Sequence, residues 1–246
     1  MMKVTFLDHS GFLVETDFVT LLFDWWKGGL PPLPEDKPRY IFASHRHEDH
    51  FNPKIFALDN RSDKVLDDGS GDVYFLLGKG ISLDLRRRRL WGISPETAGK
   101  ARVRHGGQTL SLPQAEIETL SSTDEGVAFL VTLTDGRTIF HAGDLNWWHW
   151  EGEDKAWNNN MAANFKRYTE PLRGRKIDLA MLPLDPRLGE PGFWGPKYLL
   201  ELADIRTFLP MHQWGDFGFT GRFLAAHPEF KDRTVPVERV GQVFSL

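Results

Sequence analysis

Apolar residues in this chain come in short runs cut by turn-forming residues, and the runs read mostly as strands. Residues 4–7, 12–15 and 20–23 predict three strands, broken at Asp8-His9-Ser10-Gly11 and near Thr16-Asp17. Residues 27–38, with two glycines and four prolines, read as loop. Residues 40–43, Tyr-Ile-Phe-Ala, predict a short buried strand, and 52–59 a short helix with Pro53 in its first turn. The stretch 65–107 is the hardest to read, apart from a strand at 73–77 and a helix start at 94–98. Residues 108–112 and 115–119 alternate, and 127–133 is apolar throughout. The turn Thr134-Asp135-Gly136-Arg137 then returns the chain as a strand at 138–141. Helices are predicted over 154–173 and 195–202, and strands over 177–182 and 207–211. No short repeat or low-complexity linker interrupts the pattern, so one domain is expected over residues 1–246. Strands followed by mixed strands and helices, twice over, suit two sheets packed face to face with helices outside.

Polar residues recur just beyond these strands. Asp24, Asp144, Asp185 and His212 each follow one, and Ser44-His45-Arg46-His47-Glu48-Asp49-His50 follows the strand at 40–43. A single Asp or His after a strand is ordinarily a cap or turn residue. Several after successive strands, one set reading His-x-His-x-Asp-His, point to a shared edge that gathers ligands. Imidazole and carboxylate are the usual ligands of zinc and other divalent first-row metals. In an extended segment His45 and His47 project to one side, and a turn over Phe51-Asn52-Pro53 brings Asp49 and His50 round. Such a loop suits two neighbouring ions, or one ion with spare groups behind it.

Composition narrows the chemistry. With 246 residues, 41% of them hydrophobic, the chain can bury a sizeable core. The absence of cysteine leaves only His and carboxylate for a metal. A net charge of −4 argues against a nucleic-acid surface. No apolar run reaches the length of a membrane span, and Asp8-His9 arrives too early for a signal-peptide core. A cytoplasmic protein without membrane partners is the expectation, and homo-oligomerisation is left open. No Gly-rich phosphate loop, dinucleotide fingerprint or Ser-His-Asp order is present. Nine tryptophans, with pairs at Trp25-Trp26 and Trp147-Trp148, can line a pocket or fill core. The run Arg86 to Arg89 reads as a solvated face before it reads as an anion site. Asp185-Pro186-Arg187 reads first as an ordinary turn, His141 as a packed residue, and His105 as a surface residue.

Together, Asp8-His9-Ser10-Gly11, Asp24, the histidine motif, Phe140-His141-Ala142-Gly143-Asp144 and Met211-His212 span nearly the whole chain and resemble the metallo-β-lactamase superfamily. The nearest likeness is to its lactonase-like branch, which includes ascorbate-6-phosphate lactonase. The resemblance implies an α/β fold, a four-layer αββα sandwich, and a metal-dependent hydrolase acting on a small-molecule substrate. It assigns His45 and His47 to a first metal site and Asp49, His50 and His212 to a second, with Asp144 bridging them. Asp24 matches an acid that orders the loop, and His9 a histidine at the pocket rim. The cofactor implied is one or two divalent ions, zinc first, with manganese or iron as alternatives. Asp49 and Asp144 are the residues expected to serve catalysis, through a metal-activated water that attacks an ester, lactone or phosphodiester. Diiron redox members carry Glu at the second motif histidine, where this chain has His47.

One departure stands out. The family places a further first-site histidine just before the strand equivalent to 127–133, and here Leu120-Ser121-Ser122-Thr123-Asp124-Glu125-Gly126 has none. Asp124 or water can fill that position, and His149 is another candidate for the pocket. A non-enzymatic metal-binding sensor or scaffold with a degenerate first site is therefore the alternative reading.

Overall fold

The computed structural model describes residues 1–59 and 73–246. Part of the hard-to-read stretch, residues 65–72, lies outside the described residues. The elements in chain order are β1 (Lys3–Asp8), β2 (Gly11–Glu15), β3 (Thr20–Phe23), β4 (Arg39–Ala43), β5 (Val73–Gly78), α1 (Leu85–Leu90), α2 (Pro95–Gly99) and β6 (Ala101–Arg104). They continue with β7 (Thr109–Leu112), β8 (Ala115–Ser121), β9 (Val127–Leu133), β10 (Thr138–His141), α3 (Lys155–Thr169), β11 (Lys176–Ile177) and β12 (Leu179–Pro183). The last are α4 (Trp194–Leu202), β13 (Asp204–Ile205), β14 (Phe208–Met211), α5 (Phe219–Ala226) and β15 (Val243–Ser245). Short 3-10 turns fill several connections, among them Pro53–Leu58, the helix expected at 52–59.

The chain divides into two compact units, Met1–Arg104 with Val240–Leu246, and His105–Arg239. In the first unit seven strands form one sheet in the order β15-β1-β2-β3-β4-β5-β6. β15, β1, β2 and β3 pair antiparallel, while β3, β4, β5 and β6 run parallel. The inner strands β3 and β4 are buried at every position, which is why they read as continuous apolar runs. Phe23 and Phe42 stack across that pair with ring centroids 4.5 Å apart. One core cluster joins Leu13, Leu22, Ile41 and Phe75 to Ile55 and Phe56 of the 3-10 turn. Because β3 and β4 are parallel neighbours, Asp24 and Ser44, one residue past each, emerge side by side.

The second unit holds a six-stranded sheet in the order β14-β12-β10-β9-β8-β7. β7 to β10 form an antiparallel meander, and β10, β12 and β14 are parallel. Parallel neighbours require crossover connections, which α3 and α4 supply. α3 packs on β8, and α4 on β12 and β13. Asp154 caps α3 by accepting the Trp157 N–H at 2.7 Å. The strand expected over 177–182 is divided: Ile177 pairs with Ile205 in a separate two-stranded sheet. Asp178 interrupts it, taking the Thr138 N–H on its carboxylate at 2.9 Å. The carboxyl ends of β10, β12 and β14 carry Asp144, Asp185 and His212, so these three lie at one edge of one sheet.

Candidate metal centre

In the first unit the site is built outward from Asp24. Its carboxylate is fully buried and takes three donors: the Ser44 N–H at 2.7 Å, the Ser44 hydroxyl at 2.6 Å and His50 Nδ1 at 2.7 Å. Its backbone is left-handed, with φ +41°, and its N–H is held by Phe42 O at 3.0 Å. A carboxylate in this network only accepts, so His50 carries a proton on Nδ1, and in the neutral ring the lone pair sits on Nε2. The Ser44 hydroxyl, committed to Asp24, can only accept from His45 Nδ1, 3.0 Å away. That leaves the lone pair of His45 on Nε2, which lies 2.9 Å from His47 Nδ1. Two ring nitrogens this close share either a proton or an ion. Backing acceptors of this kind fix the tautomer and aim of metal-binding imidazoles.

The loop closes on itself. The N–H groups of His50 and Phe51 both reach His47 O, at 3.0 and 2.9 Å. The Ser10 hydroxyl donates to Asp49 O at 2.8 Å, and His9 Nε2 lies 3.4 Å from Asp49 Oδ2. His9 itself is buried, at φ +48°, with its ring edge-on to His50. His45, His47 and Asp49 each offer a ligand atom, all within 4.8 Å of one another. Oriented imidazoles beside a carboxylate, with no thiolate, fit a divalent first-row ion.

The second unit brings together Asp144 and His212. Asp144 follows β10 through Gly143, whose φ of +51° turns the chain sharply. The Gly143 N–H donates to His141 Nδ1 at 3.2 Å, so His141 is spent on the turn. The Asp144 carbonyl accepts from the Trp148 indole at 2.9 Å and from Thr123 Oγ1 at 3.2 Å. His212 Nε2 lies 3.1 Å from Asp144 Oδ1, and both residues are buried. Asp124 and Asp144 offer oxygens within 4.8 Å of each other.

Other candidates fall away from these sets. Ser122 accepts the Asp124 N–H at 3.2 Å and shapes that turn. His149 packs on the Trp194 ring with centroids 4.8 Å apart, and His105 is exposed. Asp185 is a buried turn residue that caps the 3-10 turn Pro186–Leu188. Ser44 stood in the motif without a role; its hydroxyl position between Asp24 and His45 is legible only in three dimensions.

The sequence profile of the β-lactamase superfamily domain matches residues 3–151. A UPF0173 metal-dependent hydrolase of Desulforamulus reducens is 31% identical over 217 residues, covering 86% of this chain and 84% of that protein. Among solved structures, Igni18, a metallo hydrolase of the archaeon Ignicoccus hospitalis, is similar with a TM-score of 0.62. At 18% identity it covers 100% of this chain and 99% of its own, and it speaks for the fold alone. CmlA, a diiron β-hydroxylase of Streptomyces venezuelae, shares the fold at TM-score 0.58 and 13% identity, covering 100% of this chain and 54% of its own. The expected metallo-β-lactamase fold is therefore the observed one, and the chain belongs to the metallo-β-lactamase superfamily and, within it, to the UPF0173 family of metal-dependent hydrolases.

Proposed function

We propose that the protein is a zinc-dependent, lactonase-like hydrolase of a small ester, lactone or phosphodiester. The observation that carries this is the buried Asp24 network, which leaves His45 and His50 with lone pairs on Nε2. An acid and a hydroxyl placed behind imidazoles in this way fix their tautomer and aim, as they do for metal-binding histidines. In this reading His45 and His47 would hold a first ion and Asp49, His50 and His212 a second, with Asp144 also in the ligand set. Asp124, within 4.8 Å of Asp144, or a water would take the place of the histidine that the segment 120–126 lacks. A bound divalent ion supplies Lewis acidity and lowers the pKa of a water into the neutral range. Asp49 would help to hold or orient that water, and His9, 3.4 Å from Asp49 Oδ2, steadies the carboxylate. Asp144 and His212 would complete the ligand set, and the chemistry is attack on a carbonyl or phosphoryl centre.

Elemental analysis of protein purified without chelator tests the reading together with a screen of ester, lactone and phosphodiester substrates. Zinc at one or two ions per chain and metal-dependent turnover are expected. No metal, and no uptake of zinc, manganese or iron on titration, would overturn it. The lack of a histidine at 120–126 favours one rival, a metal-binding sensor or scaffold. That rival predicts metal without turnover on any substrate class.

A further inference from the structure

β12 lies between the two strands that end at Asp144 and His212, and its own carboxyl end carries Asp185. Asp185 is fully buried and saturated with donors. Its carboxylate accepts the Arg187 N–H at 2.9 Å, Arg187 Nε at 3.0 Å, Arg187 Nη2 at 2.6 Å and the Trp214 indole N–H at 3.2 Å. The Arg187 guanidinium lies over two rings, 4.3 Å from Trp214 and 5.6 Å from Trp150. Trp150 is pinned at both backbone groups by the Asn158 amide, at 3.0 and 2.9 Å. Trp150 also stacks parallel to Trp148, centroids 6.3 Å apart. Trp148 in turn donates to Asp144 O and places its ring 6.0 Å from His212. One connected clasp thus ties together the loops that follow β10, β12 and β14.

The clasp closes on a turn with unusual backbone. His212 has φ +62° and Trp214 φ +50°, both left-handed conformations that bulky residues rarely hold without support. Gln213 between them is buried and anchored to Thr220 Oγ1 at 2.8 Å. Trp214 is 50% exposed, so burial does not explain a tryptophan at a position where glycine would be relaxed.

We propose that Asp185 and Trp214 are positioning residues for His212. The Asp185–Arg187–Trp214 clasp holds His212 and Trp214 left-handed on either side of Gln213, and that conformation keeps His212 Nε2 at its 3.1 Å approach to Asp144 Oδ1. The inference rests on reading His212 as a metal ligand.

The test uses the full chain, stripped of metal, as Trp214→Gly, Trp214→Phe and Asp185→Asn. Glycine tolerates the left-handed backbone, so Trp214→Gly relaxes the turn while removing the clasp. Expected is an unchanged or raised melting temperature of the metal-free protein, together with at least tenfold weaker zinc binding by calorimetry. The absorption bands of the cobalt-loaded protein should change shape, reporting altered coordination. Asp185→Asn should weaken zinc binding likewise. Trp214→Phe keeps a ring on Arg187 and loses only the N–H, and should recover part of the affinity. Zinc affinity and cobalt bands equal to wild type in both Trp214→Gly and Asp185→Asn would overturn the proposal. Should the wild type bind no metal, the hydrolase reading fails separately. The clasp is then judged from the His212 side-chain ¹⁵N shifts: movement in Trp214→Gly supports it, and identical shifts overturn it.

Discussion

At the scale of single residues, context separates histidines and carboxylates that look alike in sequence. His50 and His105 are both histidines in turns, yet His50 is wholly buried against Asp24 and His105 is exposed. Asp144 is buried beside His212, with its carbonyl held by Trp148 and Thr123. Asp144→Asn should therefore lower turnover by more than about 100-fold, since losing even an outer partner of a metal ligand costs ~10–100-fold. His105→Ala should stay near wild type. Steady-state kinetics on any substrate found by screening decides this, and equal losses would mean that the site lies elsewhere. The motif histidines were legible because three histidines and an aspartate within six positions have few structural explanations. The role of Asp24 was legible only through the family resemblance. The Asp185 clasp was not legible, because Asp-Pro-Arg is also an ordinary cap-and-turn signature, and its partner Trp214 is far along the chain.

At the scale of elements, those with a buried stripe or run were the readable ones. The continuous run at β9 and the capped helix α3 lie close to where patterning put them. α1, Leu-Arg-Arg-Arg-Arg-Leu, buries no residue, so it carries no periodic signal. β6 is a half-exposed edge strand, and β15 is three residues long and pairs with β1 from the opposite end of the chain. Local propensity cannot report such non-local pairing. Helix α3 also offers a test of how far local signals matter for stability. Asp154 accepts the Trp157 N–H and so satisfies one of the open donors of the first turn. Asp154→Ala should cost about 1 kcal/mol. For a chain of this size that lowers the melting temperature by about 2–4 °C. Because Asn158 in the same helix fixes Trp150, calorimetric scanning should be paired with zinc titration. An unchanged melting temperature would show that the cap is dispensable.

At the scale of the whole molecule, the two compact units each carry part of the proposed ligand set: His45, His47, Asp49 and His50 in one, Asp144 and His212 in the other. The two proposed ions differ in their donors. The second draws on two imidazoles and Asp49 with Asp144, whereas the first has the imidazoles of His45 and His47 and, in place of a third, only Asp124 or water. A carboxylate is a harder donor than imidazole, and Asp124 is exposed, so the first ion should be held more weakly or favour manganese. Zinc titration of the metal-free protein should then be biphasic, or stop near one ion per chain. The tight phase should also stabilise the fold, by about 2.7 kcal/mol at ~100 times its dissociation constant. Ser122→His supplies the imidazole that the segment 120–126 lacks, although it gives up the hydroxyl that holds the Asp124 N–H. It should tighten the weak phase and leave the tight one in place, while Asp124→Asn should weaken the weak phase further. Two equally tight ions in the wild type, with no response to Ser122→His, would show that the first site is already complete without a third histidine.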